Sequence, residues 1–178
     1  MSDDVEQPSG RGAGIPTRSE RDQVVGELRE RNRVVLDAVR IRRDDLYEAV
    51  LGLERALAVP AGDAPEAWAA MLAGPVVRVQ EVLASHVSGT EGRGGLFEQV
   101  RDDAPHLLHA VGKLVAEHGP LVSDADALGA RLGQVKTEAD VDGVRDTALA
   151  LLLELLEHRH RGAELLYDAY QVDISSGD

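Results

Sequence analysis

The sequence predicts an all-α fold, an up-and-down bundle of four helices, and three observations favour it. Apolar residues recur at steps of three and four along four long stretches, which is the spacing of one face of an α-helix. No stretch shows the alternating pattern of a strand. Aromatic residues, which strands favour, make up only 3% of the 178 residues. A chain of this length can build one domain around one core.

Proline marks the boundary between the first two predicted helices. The first begins at Ser19 and ends before Pro60, since proline has no backbone N–H to donate, and its apolar face includes Val35, Val39, Leu46, Val50, Leu53 and Leu57. The second begins near Asp63 with Pro65 in its first turn, and its apolar face includes Trp68, Leu72, Val76, Val79, Leu83 and His86. Gly74-Pro75 predicts a kink rather than an end, because the apolar face continues on both sides.

The third and fourth predicted helices follow a glycine-rich run at 89–95 and a short amphipathic segment at 96–100. The third begins at Pro105, carries a second predicted kink at Gly119-Pro120, and has an apolar face that includes Leu107, Val111, Leu114, His118, Val122 and Ala125. The fourth begins near Thr137, which resembles a capping residue because Asp140 follows three positions later. Its leucines predict a helix buried on two sides: Leu149, Leu151, Leu152, Leu153, Leu155, Leu156, Leu165 and Leu166.

The predicted bundle occupies residues 19–170. Residues 1–18 combine Gly, Pro, Ser and charge without periodicity and are expected to be disordered, and residues 171–178 are expected to form a polar C-terminal tail. The N-terminus has no apolar signal segment, and no apolar run approaches the roughly 18 residues that cross a bilayer. We therefore expect a cytoplasmic protein without a membrane partner.

The charge balance argues against nucleic acid as a partner. Nineteen basic residues stand against thirty-two acidic ones, a formal net charge of −13, and an acidic surface repels phosphate. A local stretch from Arg18 to Arg43 holds eight arginines and five acidic residues. A solvated helix face is the simpler interpretation of this stretch, and an anion-binding patch is the alternative.

Three of the six histidines lie on the apolar faces of three different predicted helices. His86, His118 and His158 each follow an apolar residue by seven positions. A buried imidazole needs a partner, because it loses its hydrogen bonds to water. One buried histidine is more often a satisfied core residue, whereas three that face one bundle axis also suit a metal. The residues alone leave both interpretations open.

The other histidines are weaker candidates for metal binding. His106 and His109 are expected to be exposed near a helix start. His160 and Glu164, four residues apart on a helix, are expected to form a surface ion pair. With no cysteine in the chain, a histidine-rich donor set suits iron, zinc, manganese or copper.

Few carboxylates accompany the three central histidines. Glu91 can bind the same metal as His86 only if the helix bulges at Gly89, which lies between them. Glu117 points about 100° away from the histidine beside it. Glu154 lies one turn before His158 and is a candidate acceptor for its ring N–H.

Three segments carry the central histidines: His86-Val-Ser-Gly-Thr-Glu91, Ala116-Glu117-His118, and Glu157-His158 with Glu-Leu-Leu-Tyr-Asp-Ala-Tyr-Gln-Val-Asp-Ile at 164–174. Together they resemble hemerythrin-like proteins, the His-His-Glu cation-binding family, from about Arg31 to the end of the chain. The resemblance implies a four-helix bundle with a mono- or dinuclear non-haem iron site that senses or handles oxygen, iron or redox state, with O2 or another small molecule as its ligand. Carried over by position, the implied metal ligands are His86, Glu91, His118 and His158.

Two positions of the last helix depart from that family. Gly162 stands where many relatives have a carboxylate, and Arg159 follows His158 where they have glutamate. No histidine precedes His86, so fewer donors are present than a di-iron centre uses. Arg159 falls within the apolar surface of its helix and is expected to need an anionic partner.

These departures leave a second function class open beside the metal-binding one. A single ion, iron or zinc, or no metal at all, would fit the smaller donor set. The alternative is therefore a metal-free helical bundle that has lost the site and acts as an interaction or regulatory module. No Ser-His-Asp set, paired carboxylates or phosphate-binding loop indicates an enzyme.

Overall fold

The described chain consists of five α-helices and one short 3-10 turn. The structure is a computed structural model that describes residues 17–175, with side chains from Arg43 to Tyr170 and at scattered earlier positions. The helices are α1 (Arg18–Leu57), α2 (Pro65–Glu91), α3 (Leu96–Asp103), α4 (Leu108–Leu132) and α5 (Glu138–Ser175), and the 3-10 turn Pro105–Leu107 precedes α4. No residue between 17 and 175 is in a strand. The predicted all-α class is therefore confirmed for this part of the chain.

The ends of the described chain differ from the predicted domain limits. α5 continues to Ser175, inside the segment 171–178 that was expected to be a polar tail. Residues 1–16, which make up most of the predicted N-terminal tail, lie outside the described residues. The chain divides into two compact units, residues 1–36 and residues 37–178. The described part of the first unit is the N-terminal half of α1, and the core and site below belong to the second.

The described arginines at the start of α1 are solvated. Arg18, Arg21 and Arg33 are exposed, and Arg33 Nη2 lies 3.1 Å from Glu30 Oε1 in an exposed ion pair. For these positions the solvated-face interpretation agrees with the structure. Within residues 17–175, no helix has both the length and the apolar character that crossing a bilayer requires.

One hydrophobic core is shared by α1, α2, α4 and α5 within residues 37–178. The predicted apolar faces supply it, and its fully buried side chains include Leu46, Leu53, Leu72, Leu83, Leu128, Leu151 and Leu155. Burial of a leucine side chain contributes about 1.5–3 kcal/mol. Pro75 and Pro120 lie inside α2 and α4, so the Gly-Pro pairs do not end these helices, as predicted.

The leucine-rich surface of α5 is buried on one side only in the described structure. Leu151 and Leu155 lie in the core at 2% and 0% exposure, whereas Leu149, Leu153 and Leu156 are 56%, 59% and 43% exposed. The expectation that this helix is buried on two sides is therefore wrong for the described part of the chain. Three exposed leucines at steps of four and three form one apolar row on α5.

The start of α5 is fixed by the predicted capping pair. Asp140 Oδ2 accepts hydrogen bonds from the backbone N–H groups of Lys136 and Thr137 at 3.0 and 2.9 Å, and from the Thr137 hydroxyl at 2.8 Å. Thr137 Oγ1 in turn accepts from the Asp140 N–H at 3.2 Å. Such a reciprocal cap satisfies N–H groups that have no partner within the helix. The bonds from the Lys136 backbone and from Thr137 hold the pKa of Asp140 below its ordinary value.

Asp140→Asn tests this cap through the pH dependence of stability. Because the folded-state pKa of Asp140 lies below its unfolded-state value, its ionised form stabilises the fold above the unfolded pKa of about 3.9. That contribution is lost as the pH falls through the folded-state pKa. We expect Asp140→Asn to lower the melting temperature by a few degrees at neutral pH and by less as the pH falls below about 4.

Asp146→Asn, an exposed position on the same helix, is the matched control and should leave the melting temperature unchanged. Thermal unfolding followed by circular dichroism measures both variants. An equal effect of the two substitutions, or an Asp140→Asn effect that does not change with pH, would contradict a role for the ionised cap.

Candidate metal centre

Three helices each bring one histidine to the same place. His86 comes from α2, His118 from α4 and His158 from α5, each on the apolar face of its helix. His118 and His158 are each only 2% exposed, and His86 is half-buried. The three histidines point toward the core because the apolar residues one and two turns earlier on each helix face it.

The three Nε2 atoms converge. His86 Nε2 lies 3.1 Å from His158 Nε2, and His118 Nε2 lies 3.3 Å from the same atom. All three histidines offer a ligand nitrogen within 4.8 Å of the others. Two imidazole nitrogens bound to one tetrahedral Zn²⁺ at about 2.0–2.1 Å would be separated by about 3.3 Å. The two observed separations are therefore close to that of two nitrogens bound to one ion.

Two carboxylates hold the outward ring nitrogens of this cluster. Glu91 Oε1 lies 2.5 Å from Nδ1 of His118, and Glu117 Oε2 lies 2.7 Å from Nδ1 of His158. Both pairs join different helices. A histidine that binds metal through one ring nitrogen commonly donates the other N–H to a carboxylate, which fixes the tautomer and the orientation of the ring.

Arg161 completes the chain of charges behind His158. Its Nε lies 2.8 Å from Glu117 Oε1, and its Nη1 lies 3.3 Å from Glu157 Oε2. Burial alone would raise the pKa of Glu117, but hydrogen bonds from His158 and Arg161 lower it more, so the carboxyl is ionised at neutral pH. Burial lowers the pKa of His158, which favours the neutral ring despite the carboxylate.

The inward nitrogens of two rings become acceptors when both rings donate a proton from Nδ1. When the Nδ1 proton of each ring is donated to its carboxylate, Nε2 of His118 and Nε2 of His158 both carry lone pairs. These two acceptors face each other at 3.3 Å. Two lone pairs repel unless a cation or a proton lies between them, and one metal ion would serve all three nitrogens at once.

A glycine-rich turn at 92–95 positions Glu91 and Phe97. α2 ends at Glu91, and Gly94 has φ +70°, a left-handed conformation that glycine adopts without strain. A Cβ atom on Gly95 would lie 2.6–2.7 Å from two backbone oxygens, so a side chain would not fit there. The turn directs the chain into α3, whose Phe97 ring stacks on His118 with centroids 5.9 Å apart.

The structure places the three predicted histidines at one point and the predicted ligand Glu91 at another. It brings His86, His118 and His158 together at Nε2. It places Glu91 beside the opposite ring nitrogen of His118, where the carboxylate supports the ring instead of joining the Nε2 cluster. In this geometry Glu91 pairs with the His118 imidazole, and the role of direct metal ligand that the resemblance implies stays a prediction.

Sequence reasoning missed Glu117 and named the wrong acceptor for His158. Glu117 does point away from its neighbour His118, as its helical angle indicates, and that direction takes it to α5. Glu154, the expected acceptor, is exposed. Spacing along one helix could not reveal this, because the pairing depends on how two helices are rotated against each other.

The remaining predicted positions lie around the site or in solvent. His106 and His109 are exposed, and the surface pair of His160 and Glu164 is confirmed at 3.3 Å. Arg159 stacks on the exposed ring of Tyr47, 4.4 Å from its centroid. The expected anionic partner of Arg159 is absent among the described side chains, and an aromatic face takes its place.

A small cavity opens beside the cluster. Its volume is about 40 Å³, and His86, His158, Arg43, Arg159 and Gly162 lie in its wall together with apolar side chains of α3, α4 and α5. Gly162, where the resembling family has a carboxylate, contributes no side chain to this space.

Comparison of the chain with family models, with curated proteins and with solved structures gave no match.

The arrangement predicts an unusual tautomer for two histidines. Free neutral histidine prefers the proton on Nε2, whereas the carboxylates here should hold it on Nδ1 in His118 and His158. In metal-free protein at about pH 8, where imidazoles are neutral, two-bond ¹⁵N–¹H correlation spectra should show both rings as Nδ1–H tautomers. Exposed His106 and His109 serve as internal references. Nε2–H tautomers at both buried rings would refute the carboxylate-paired geometry.

Proposed function

We propose that this protein binds one transition-metal ion through Nε2 of His86, His118 and His158, in a bundle of the hemerythrin-like kind. The observation that carries the proposal is the convergence of three Nε2 atoms. In two of the three rings, the other ring nitrogen, Nδ1, is paired with a carboxylate. Nothing else in the described part of the chain offers three buried donors at ligand spacing.

The donor set favours a mononuclear site. Three neutral imidazoles suit Fe²⁺, Zn²⁺, Co²⁺ or Cu²⁺, and Glu91 and Glu117 supply two negative charges that balance a dication nearby. When bound, such an ion supplies an open coordination position for a small ligand. The chain's own residues orient the rings, exclude bulk water through Phe97 and the leucines of α5, and hold the Nδ1 protons in place.

The resemblance directs this chemistry toward iron, oxygen or redox sensing or handling. Iron is the metal the resemblance implies, in one ion per chain, with O2 or another small molecule as its ligand. Zinc is the alternative metal. We propose a binding function, and no group in the described structure is arranged as a nucleophile with its base.

The alternative function is association with a partner by a metal-free bundle. The exposed row of Leu149, Leu153 and Leu156 on α5 favours it, because an apolar row on a helix face is a common contact surface. Metal content separates the two functions.

Loss of one ring should abolish metal binding without unfolding the chain. We expect wild-type protein loaded anaerobically with Fe²⁺, and separately with Zn²⁺, to bind about one ion per chain. His118→Ala should bind none at micromolar metal, since two nitrogens form a weak site. Elemental analysis after desalting measures both, and circular dichroism checks the helices.

The matched control for this experiment is His160→Ala, because His160 is exposed on α5. It should bind metal like the wild type. Full metal content in His118→Ala would contradict the proposed site. No metal in the wild type would contradict it too, and would favour the metal-free alternative.

The carboxylate behind His158 should tune affinity without being a ligand. Glu117→Gln removes the charge that orients the ring, and loss of such a partner typically weakens metal binding about 10–100-fold. Competition with a chromophoric chelator measures the dissociation constant, and Glu154→Gln, at an exposed site on α5, is the control. If the two substitutions changed affinity equally, Glu117 would have no specific role.

A further inference from the structure

Two arginines, Arg43 and Arg159, lie in the wall of the cavity. Arg43 Nε is buried without a hydrogen-bond acceptor, and the described interaction of Arg159 is with the face of Tyr47. Among the described side chains, neither guanidinium is paired with a carboxylate. Arg161 differs, because Glu117 and Glu157 neutralise it. A buried N–H donor without an acceptor costs free energy, so Arg43 Nε calls for an acceptor that no described side chain supplies.

The cavity limits how large that acceptor is. Its volume is about 40 Å³, and one water occupies about 10–15 Å³ on this measure. Three or four non-hydrogen atoms therefore fit. The same cavity is lined by His86 and His158, so its contents lie next to the open side of the proposed metal site.

We infer that this cavity binds a small carboxylate-type anion, such as formate or bicarbonate, between the guanidinium groups of Arg43 and Arg159 and the ion held by the histidines. The inference rests on the proposed metal site. A guanidinium presents paired N–H donors that match the two oxygens of a planar carboxylate. The charges of the described side chains agree with this: Glu91 and Glu117 balance a dication, and Arg43 and Arg159 then have no carboxylate partner among them.

Other small molecules suit the cavity less well. An apolar gas accepts no hydrogen bond of useful strength and leaves Arg43 Nε unsatisfied. A neutral amide of the same shape accepts through one oxygen only, and its NH₂ group, itself a donor, would meet guanidinium donors. A carboxylate with an aromatic substituent exceeds the available volume.

The test uses full-length protein loaded with Co²⁺, whose visible spectrum reports changes in its coordination. Sodium formate and sodium bicarbonate are titrated separately, and their relative affinities show which kind of carboxylate the cavity prefers. Formamide serves as the uncharged match for formate, and sodium benzoate as the oversized carboxylate. We expect saturable spectral changes with formate or bicarbonate and none with formamide or benzoate.

Variants assign the effect to the arginines. Arg43→Gln and Arg159→Gln should each weaken anion binding by about tenfold or more while Co²⁺ content stays at the wild-type value. Arg78→Gln, an exposed arginine of α2 paired with Asp45, should behave like the wild type.

The outcomes distinguish this inference from the metal site on which it rests. If Co²⁺ binds but formate and bicarbonate leave the spectrum unchanged, or if the Arg43 and Arg159 variants bind them as the wild type does, the anion site is refuted and the metal site stands. If Co²⁺ does not bind to the wild-type protein, both are refuted.

Discussion

The pairing of histidine rings with carboxylates across helices is the interaction on which the rest of the site depends. Each imidazole can rotate about two bonds and can carry its proton on either nitrogen. Glu91 and Glu117 remove both freedoms for His118 and His158 by accepting from Nδ1. As a result, Nε2 of each ring is aimed inward, toward the Nε2 atom of the other ring. The cost of burying imidazoles beside one another is offset by these charged hydrogen bonds.

The fold makes this pairing stable by placing it on rigid elements. Two of the three histidines lie well inside long helices, and the third is one turn from the end of α2, where the glycine turn begins. The leucine core below the site fixes the rotation of α2, α4 and α5, and that rotation decides which ring meets which carboxylate. Arg161 supports this pairing, since it forms an ion pair with Glu117 from the solvent side. The site therefore depends on packing several turns away from its chemistry.

The sequence predicted the helices and the inward positions of the three histidines, because both follow from the spacing of apolar residues along a single helix. Apolar steps of three and four placed His86, His118 and His158 inward, and the Thr137–Asp140 cap was visible as a local pattern. Contacts between helices do not follow from the spacing of residues along one helix. The acceptor of His158 is Glu117 on α4 and not Glu154 on α5, and Arg159 meets Tyr47 of α1. The prediction that the leucine-rich α5 is buried on two sides was also wrong, because composition does not reveal whether another element covers a helix face.

The three rings come from positions far apart in the chain: His86 and His158 are 72 residues apart, and His118 and His158 are 40 apart. An ion held by all three would therefore act as a cross-link that closes two long loops, and the unfolded chain offers no comparable site. By mass action, each tenfold excess of free metal over its dissociation constant would add about 1.4 kcal/mol to the free energy of unfolding. The fraction of protein with metal bound would then determine how often the helices open and become accessible to proteases. The abundance of the protein in a cell would therefore rise with the concentration of available metal.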